Sequence, residues 1–203
     1  MTRSSPERCL PGEAFGEESR AREFNVSRTL LREALRRLGE DGLVEYEPHK
    51  GARVASLTAD TVRDTFLVRE AHEGIAAREA ATRLDESALR VFREHYDSHR
   101  AAIDAGDRTD VGDGLHDLIF SAGASDRLRR TMANIMGQIL WIQHLTVQSE
   151  ERLRRSFREH DSIVLALEAR DRIAAENAAG AHVRSTAAYV QQSLESGALA
   201  RAS

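Results

Sequence analysis

From Leu57 onward, apolar residues recur at helical spacing. The first stripe is Val62, Phe66, Leu67, Ala71 and Ile75, and apolar positions three and four apart share one face of a helix. Others follow at Leu89, Phe92, Tyr96 and Ile103; at Val111, Leu115, Leu118 and Ala122; and at Leu128, Met132, Ile135, Ile139 and Ile142. Two more run through Leu153, Phe157, Val164 and Leu167, and through Ala174, Ala178, Ser185 and Tyr189. This predicts about six helices, with Thr58 as N-cap of the first. The links between them, such as Asp104-Ala105-Gly106-Asp107 and Ala169-Arg170-Asp171, are short, so the helices should form an antiparallel bundle.

Before Leu57 the pattern differs. Pro and Gly crowd into Leu10-Pro11-Gly12, Asp41-Gly42 and Pro48-His49-Lys50-Gly51, and no proline follows. A boundary is expected there, dividing the chain into residues 1–57 and 58–203. Within the first part a helix should start around Val26-Ser27-Arg28-Thr29, carry Leu31, Leu35 and Leu38 on its buried side, and stop at Asp41-Gly42. Ser27 is the expected N-cap, and Asn25 suits the left-handed backbone that a tight helix-helix turn requires. Val44-Glu45-Tyr46 and Ala52-Arg53-Val54 flank a Pro/Gly turn and read as a small hairpin. The fold class is therefore mainly α, with one hairpin.

Composition narrows the function. A chain of 203 residues, 41% hydrophobic, can build a core, and its single Cys excludes a disulfide framework. No apolar run approaches the roughly 18 residues of a membrane span, and no secretory leader opens the chain, so a cytoplasmic protein is expected. The net charge of −4 points to no partner. Residues 20 to 53 hold eight basic and six acidic side chains, so any nucleic-acid footprint must be local.

Such a footprint exists on the helix that opens at Ser27. Arg28, Arg32 and Arg36 fall four residues apart on one side. Arginine bonds guanine edges bidentately, while Ser27 and Thr29 hydroxyls and the helix N-terminus hold phosphates. His49, Lys50 and Arg53 around Gly51 would add positive charge from the hairpin. The other reading is a solvated face paired with Glu33 and Glu40.

The second part carries a set of histidines. His160 falls within the stripe Leu153, Phe157, Val164, Leu167, and His182 within Ala174, Ala178, Ser185, Tyr189. His116 borders the face of Leu115 and Ile119, with Asp113 one turn before it. Three inward imidazoles and a carboxylate are donors suited to a divalent transition metal, with zinc, nickel or iron the best matches. Hydrogen-bonded core histidines are the alternative. Arg69 could take an acidic ligand or simply pair with Glu73 along the helix; His144, one turn after Leu140 and Trp141, could line a cavity.

Leu10-Pro11-Gly12-Glu13, Val26-Ser27-Arg28-Thr29, Arg32-Glu33-Ala34-Leu35-Arg36-Arg37-Leu38 and Gly42-Leu43-Val44 resemble, in order and spacing, the GntR family of bacterial transcription regulators. The resemblance implies a winged helix-turn-helix, with Ser27, Arg28, Thr29 and Arg32 on the DNA and His49-Lys50-Gly51 as the tip of the wing. Val68-Arg69-Glu70 with Glu73, Leu115-His116, Glu159-His160 and Ala181-His182 are similar to the FCD effector-binding domain of the FadR branch. In many members an Asp and three His hold a metal in a pocket for small carboxylates. Here the His carry over as His116, His160 and His182, but Gly112 stands at the Asp position and Asp113 is offset by one residue.

Three further departures concern the reading domain. Only nine residues precede Leu10, so the family's first helix is expected to be missing, Arg20 replaces an apolar Leu, and Leu30 stands where Pro is usual. The expected function is a homodimeric regulator on a palindromic operator, responsive to a small carboxylate and not an enzyme. A ligand- or metal-binding dimer that no longer reads DNA is the alternative. An enzyme using a three-His metal to activate water stands behind both.

Overall fold

The computed structural model describes residues 10–47, 50–106, 114–145 and 150–197, without the side chains of Ile103, His144 and Leu145. These residues form eight helices and one antiparallel hairpin. The amino-terminal part comprises α1 (Glu17–Glu23), α2 (Arg28–Glu40), β1 (Val44–Glu47) and β2 (Gly51–Val54). Asn25 takes the left-handed conformation (φ 53°) between α1 and α2, and Ser27 Oγ caps α2 by accepting from Leu30 N–H at 3.2 Å. Both follow from the residue types, since Asn tolerates this backbone and Ser satisfies a free helix N–H.

Ala21, Leu31, Leu35, Val44 and Ala52 make the small core of this part, with Phe15 and Val26 packed against it. Leu38, expected on the buried face, is 37% exposed. It lies in the last turn of α2, where the chain folds back and Leu43 N–H bonds its carbonyl at 2.8 Å. The hairpin pairs Val44 with Val54 and Glu47 with Gly51. Residues Glu13 to Phe15 run beside β2, with Phe15 N–H donating to Ala52 O at 2.7 Å.

The bundle contains six helices, as the stripes predict: α3 (Ala59–Arg83), α4 (Glu86–Asp104), α5 (Leu115–Gly123), α6 (Asp126–Leu145), α7 (Glu150–Glu168) and α8 (Arg172–Glu195). Thr58, Ser125 and Asp171 supply side-chain caps before α3, α6 and α8. Helix α3 is central, packing on α8, α5, α6 and α7. It does so through small residues, Gly74, Ala76, Ala77, Ala80 and Ala81, which face Ala175, Ala179 and Gly180 among others. At Gly123 the approach is closest, since a Cβ there would sit 1.9 Å from Ala76 O.

This small-residue packing overturns the expected stripe of α3. Val62 and Phe66 are buried, but Leu67 is 58% and Ile75 47% exposed, and Ala71 also faces outward. Alanines let backbones approach, so they take the interior face of this helix and leave the larger apolar groups outside. On α8 the buried set is likewise shifted by one residue from Ala174 and Ala178 to Ala175, Ala179 and Val183. The stripe of α7 holds, with Leu153, Phe157, Val164 and Leu167 buried, and that of α6 holds in part, with Met132, Ile139 and Ile142 buried and Leu128 and Ile135 half-buried. Val111 lies outside the described residues.

The two parts meet at α6. Gln138 accepts from Thr65 Oγ at 2.8 Å and donates to the carbonyl of Asp41 at 3.0 Å. Asp41 is the C-cap of α2, and the Leu43 side chain rests on Gly137. The end of α2 is thereby fastened to the bundle.

Candidate metal and ligand site

Helices α5, α7 and α8 each bring one imidazole to a common point. His160 and His182 are buried because their positions on α7 and α8 face the interior, and His116 sits in the first turn of α5. One nitrogen from each ring lies within 4.8 Å of the others. His160 Nε2 and His182 Nε2 are 3.3 Å apart. Two nitrogens bound to one tetrahedral ion at 2.0–2.1 Å stand about 3.3 Å apart, so this donor set fits a divalent transition metal.

The outward nitrogens of two of the rings face carboxylates. His182 Nδ1 is 3.0 Å from Glu159 Oε2, an oxygen that also accepts from Arg152 Nη1 at 3.1 Å. Glu159 Oε1 takes Ser185 Oγ at 2.5 Å and Arg155 Nε at 3.0 Å. Burial opposes ionisation of Glu159, but the His182, Ser185 and Arg152 contacts outweigh it and hold its pKa at about 2. Burial likewise pushes His182 down to about 3, against the pull of Glu159. His182 is thus neutral, protonated on Nδ1, with the Nε2 lone pair directed at His160.

His116 Nδ1 lies 2.9 Å from Glu73 Oε2, within ion-pair reach but off the line of a hydrogen bond. Glu73 is buried with Arg69, whose Nε donates to Glu73 Oε1 at 2.6 Å. Burial of the Glu73 carboxyl is outweighed by Arg69 and His116, which keep it well below the usual carboxylate range. Arg69 Nη1 is buried and has no hydrogen-bond partner among the described residues. Arg69 thus pairs with Glu73 along the helix and presents a second N–H group that the described residues leave without an acceptor.

These groups line a cavity of about 760 Å³, within the size range of small-molecule sites. Phe120, Met132, Met136, Ile139 and Phe157 supply apolar wall, and the polar lining includes Arg69, Arg129, Arg152 and the three histidines together with the acidic Glu73 and Asp117. Of the predicted site residues, His116, His160, His182 and Arg69 are brought together here. Asp113 and His49 lie outside the described residues, as does the side chain of His144. Sequence reasoning did not identify Glu159, Arg152 or Gln138. Arg152 and Glu159 lie seven residues apart, two turns along one helix face, which is the signal that was available for the pair.

On the amino-terminal part, Arg28, Arg32 and Arg36 are exposed, and each has an acidic neighbour. Arg28 meets Glu18 at 3.7 Å, Arg32 meets Glu17 at 2.6 Å and Arg36 meets Glu40 at 2.5 Å. The Glu40 pairing is the one expected of a solvated face; the other two come from α1. Exposed pairs of this kind contribute little and exchange readily for phosphate. Lys50, beside Gly51 (φ 82°) at the start of β2, pairs with Glu47 at 2.8 Å. Arg20 is accommodated by stacking over Phe15, 5.7 Å from the ring centroid, and pairing with Glu23 at 2.9 Å. Residues 1–9, where the first helix was expected to be missing, lie outside the described residues.

A capped, arginine-bearing helix with a hairpin beside it, fastened to a bundle around a cavity, is the build of a DNA-binding transcriptional regulator. The FCD domain matches residues 64–185, and the bacterial regulatory proteins of the gntR family match residues 6–54. The chain belongs to the gntR family of bacterial transcriptional regulators and carries an FCD domain; it is not an enzyme. It is 28% identical to the HTH-type transcriptional repressor RspR of Escherichia coli (strain K12) over 189 residues, 91% of this chain and 83% of that protein. It is 31% identical to a probable D-xylose utilization operon transcriptional repressor of Paenarthrobacter nicotinovorans over 173 residues, 84% and 74% of the two chains.

Two solved structures share the fold. E. coli McbR/YncC has a TM-score of 0.69 at 18% identity and covers 91% of this chain and 89% of its own. A putative GntR transcriptional regulator from Rhodococcus sp. RHA1 has 0.68 at 23%, covering 90% and 88%. The winged helix-turn-helix implied by the sequence is thus the observed architecture of residues in the amino-terminal part. Among the described residues no helix is long and apolar enough to cross a membrane.

Proposed function

We propose that this regulator senses a small carboxylate through a divalent metal held by His116, His160 and His182, and reads a palindromic operator as a homodimer in the cytoplasm. Residues 1–57 form the reading domain and 58–203 the sensing and dimerising domain. The observation that carries the ligand half is the convergence of three imidazoles, two backed by carboxylates, on a cavity that also holds a free N–H group of Arg69. When bound, the metal supplies a Lewis acid for a carboxylate oxygen; zinc, nickel and iron(II) suit these donors. Glu159 fixes the tautomer of His182, Glu73 faces His116, and Arg69 supplies charge for the anion. Asp113 and His144 complete the set from sequence position alone.

On the DNA side, Arg28, Thr29 and Arg32 contact bases or phosphates, Ser27 holds the helix start, and His49-Lys50-Gly51 reaches the minor groove. Gln138 joins the two halves. It sits on α6, whose Met132, Met136 and Ile139 line the cavity, and it bonds the C-cap of the recognition helix. A shift of α6 on ligand binding would reach α2 through this bond, the requirement being unequal affinity for the two arrangements.

The 3.3 Å contact between His160 and His182 also supports a metal-free reading, in which His160 donates to His182 and the imidazoles contact the ligand directly. A thermal-shift screen of small carboxylates on zinc-loaded and chelated protein separates the two. Stabilisation that requires the metal is expected; equal stabilisation of both forms would contradict metal-assisted sensing.

A further inference from the structure

Leu30 stands in the first turn of α2 beside Arg28 and Thr29. It is 53% exposed and belongs to none of the buried clusters among the described residues. The small core of the amino-terminal part is reached through Leu31 and Leu35 instead. The amide of Leu30 is nevertheless used: its N–H donates to Ser27 Oγ at 3.2 Å, a bond that the proline usual at this position could not make, since proline has no N–H. The backbone of Leu30 thus fixes the start of the helix, while its side chain stays outside the core.

What this side chain meets follows from where it stands. In a helix-turn-helix the second helix enters the major groove by its N-terminal residues, which reach the base edges. At about 100° per residue, Arg28, Thr29 and Leu30 fan over about 200° of that end, so an end-on approach brings all three to the DNA. The first turn of α2 holds no acidic side chain to oppose the phosphates. The major groove offers a leucine one chemically matched feature, the 5-methyl group of thymine; the other distinguishing groups on the base edges there are hydrogen-bond donors and acceptors. An isobutyl group bonds to none of these and covers them at a cost, so at this position it favours thymine.

We propose that Leu30 is a specificity-determining residue of the reading helix: its side chain packs against the 5-methyl group of a thymine in each operator half-site, beside the bases or phosphates taken by Arg28, Thr29 and Arg32. Taking one methyl group out of water supplies about fourfold in affinity per contact, and about 15-fold for two half-sites together. This discrimination uses neither a hydrogen bond nor a charge, so it adds nothing to the salt dependence that the arginines confer. The proposal rests on the reading of α2 as the helix that contacts DNA, and the two fail differently.

The test uses the full chain and the operator it enriches from random duplexes. Deoxyuridine differs from thymidine only in lacking the 5-methyl group, so replacing each thymine in turn, in both half-sites, isolates that group. Fluorescence anisotropy should reveal a thymine position at which the wild type loses about 15-fold in affinity. Leu30→Ala keeps the amide that Ser27 caps; it should bind the thymine duplex more weakly by a similar factor, with an unchanged salt slope, and should be insensitive to deoxyuridine there. Leu30→Met, apolar and of similar reach, should keep the sensitivity, and circular dichroism checks the fold of both variants. A wild-type protein that enriches no sequence would overturn both the reading helix and the role of Leu30. No thymine sensitive to loss of its methyl, or a sensitivity equal in the wild type and Leu30→Ala, would overturn the role of Leu30 alone.

Discussion

Exchanging Glu159 for Gln removes one charge and almost no volume from the support of His182. In the native protein the carboxylate accepts from His182 Nδ1, Arg152 Nη1, Ser185 Oγ and Arg155 Nε at 2.5–3.1 Å. A carboxylate can only accept, so the His182 proton must sit on Nδ1 and the Nε2 lone pair must face His160. A Gln amide has one oxygen for these donors, and its NH₂ can donate to Nδ1 instead. That reverses the tautomer and directs an N–H at the metal position.

Loss of an outer partner of this type costs 10–100-fold in metal affinity, about 1.4–2.8 kcal/mol. Arg152, 6% exposed, keeps Thr186 Oγ at 2.6 Å but loses the Glu159 carboxylate at 3.1 Å, a cost to folding of about 3 kcal/mol. At 2–4 °C per kcal/mol for a chain of this size, Tm should fall by roughly 6–12 °C. The assay is zinc titration against a competing chelator at a temperature where both proteins are folded. Arg155→Ala, which removes the most exposed of the four donors, should leave zinc affinity unchanged. A Glu159→Gln protein with a zinc Kd within about twofold of wild type would refute the role assigned to the carboxylate.

Arg32→Ala should lower specific operator affinity by about 10–100-fold, the worth of a bidentate base contact, with helicity and dimerisation intact; unchanged binding in fluorescence anisotropy would remove Arg32 from the interface. Gln138→Leu should leave ligand affinity intact while cutting the ligand-induced change in operator affinity by about tenfold, and an unchanged ratio would show that the Asp41 bond carries no coupling. Chelated protein should lose stability as pH falls. His182 titrates near 3 in the fold against an ordinary 6.5, so below about pH 6.5 the unfolded chain binds the extra proton. Glu159, near 2 against 4.5, adds in the same direction below about 4.5. Stability that rises between pH 6.5 and 4 in denaturant titrations would contradict this.

The recognition helix was legible because its limits are written locally, by Asn25, Ser27 and Asp41-Gly42. The inward aim of His160 was legible for a similar reason: α7 buries large apolar residues at regular spacing, and the imidazole falls among them. The face of α3 was not, because its interior is built from alanine, glycine and a buried Arg–Glu pair, while its large apolar residues point outward. Periodicity finds the apolar face of a helix; it does not say which of two such faces meets the core. The places of Glu159 behind His182 and of Glu73 behind His116 were hidden, because a carboxylate reads as solvated or as a helix-pair partner until the donors from other helices are known. The Gln138–Asp41 bond spans 97 residues and has no local signature at all.

The central claim is that three histidines from three helices form one metal site. Elemental analysis of purified wild-type protein and of the His160→Ala/His182→Ala double variant, both loaded with zinc and desalted, tests it directly. One equivalent of metal per wild-type chain, and none in the double variant, is the predicted result. Equal metal in both proteins, or no retained metal in the wild type, would contradict it.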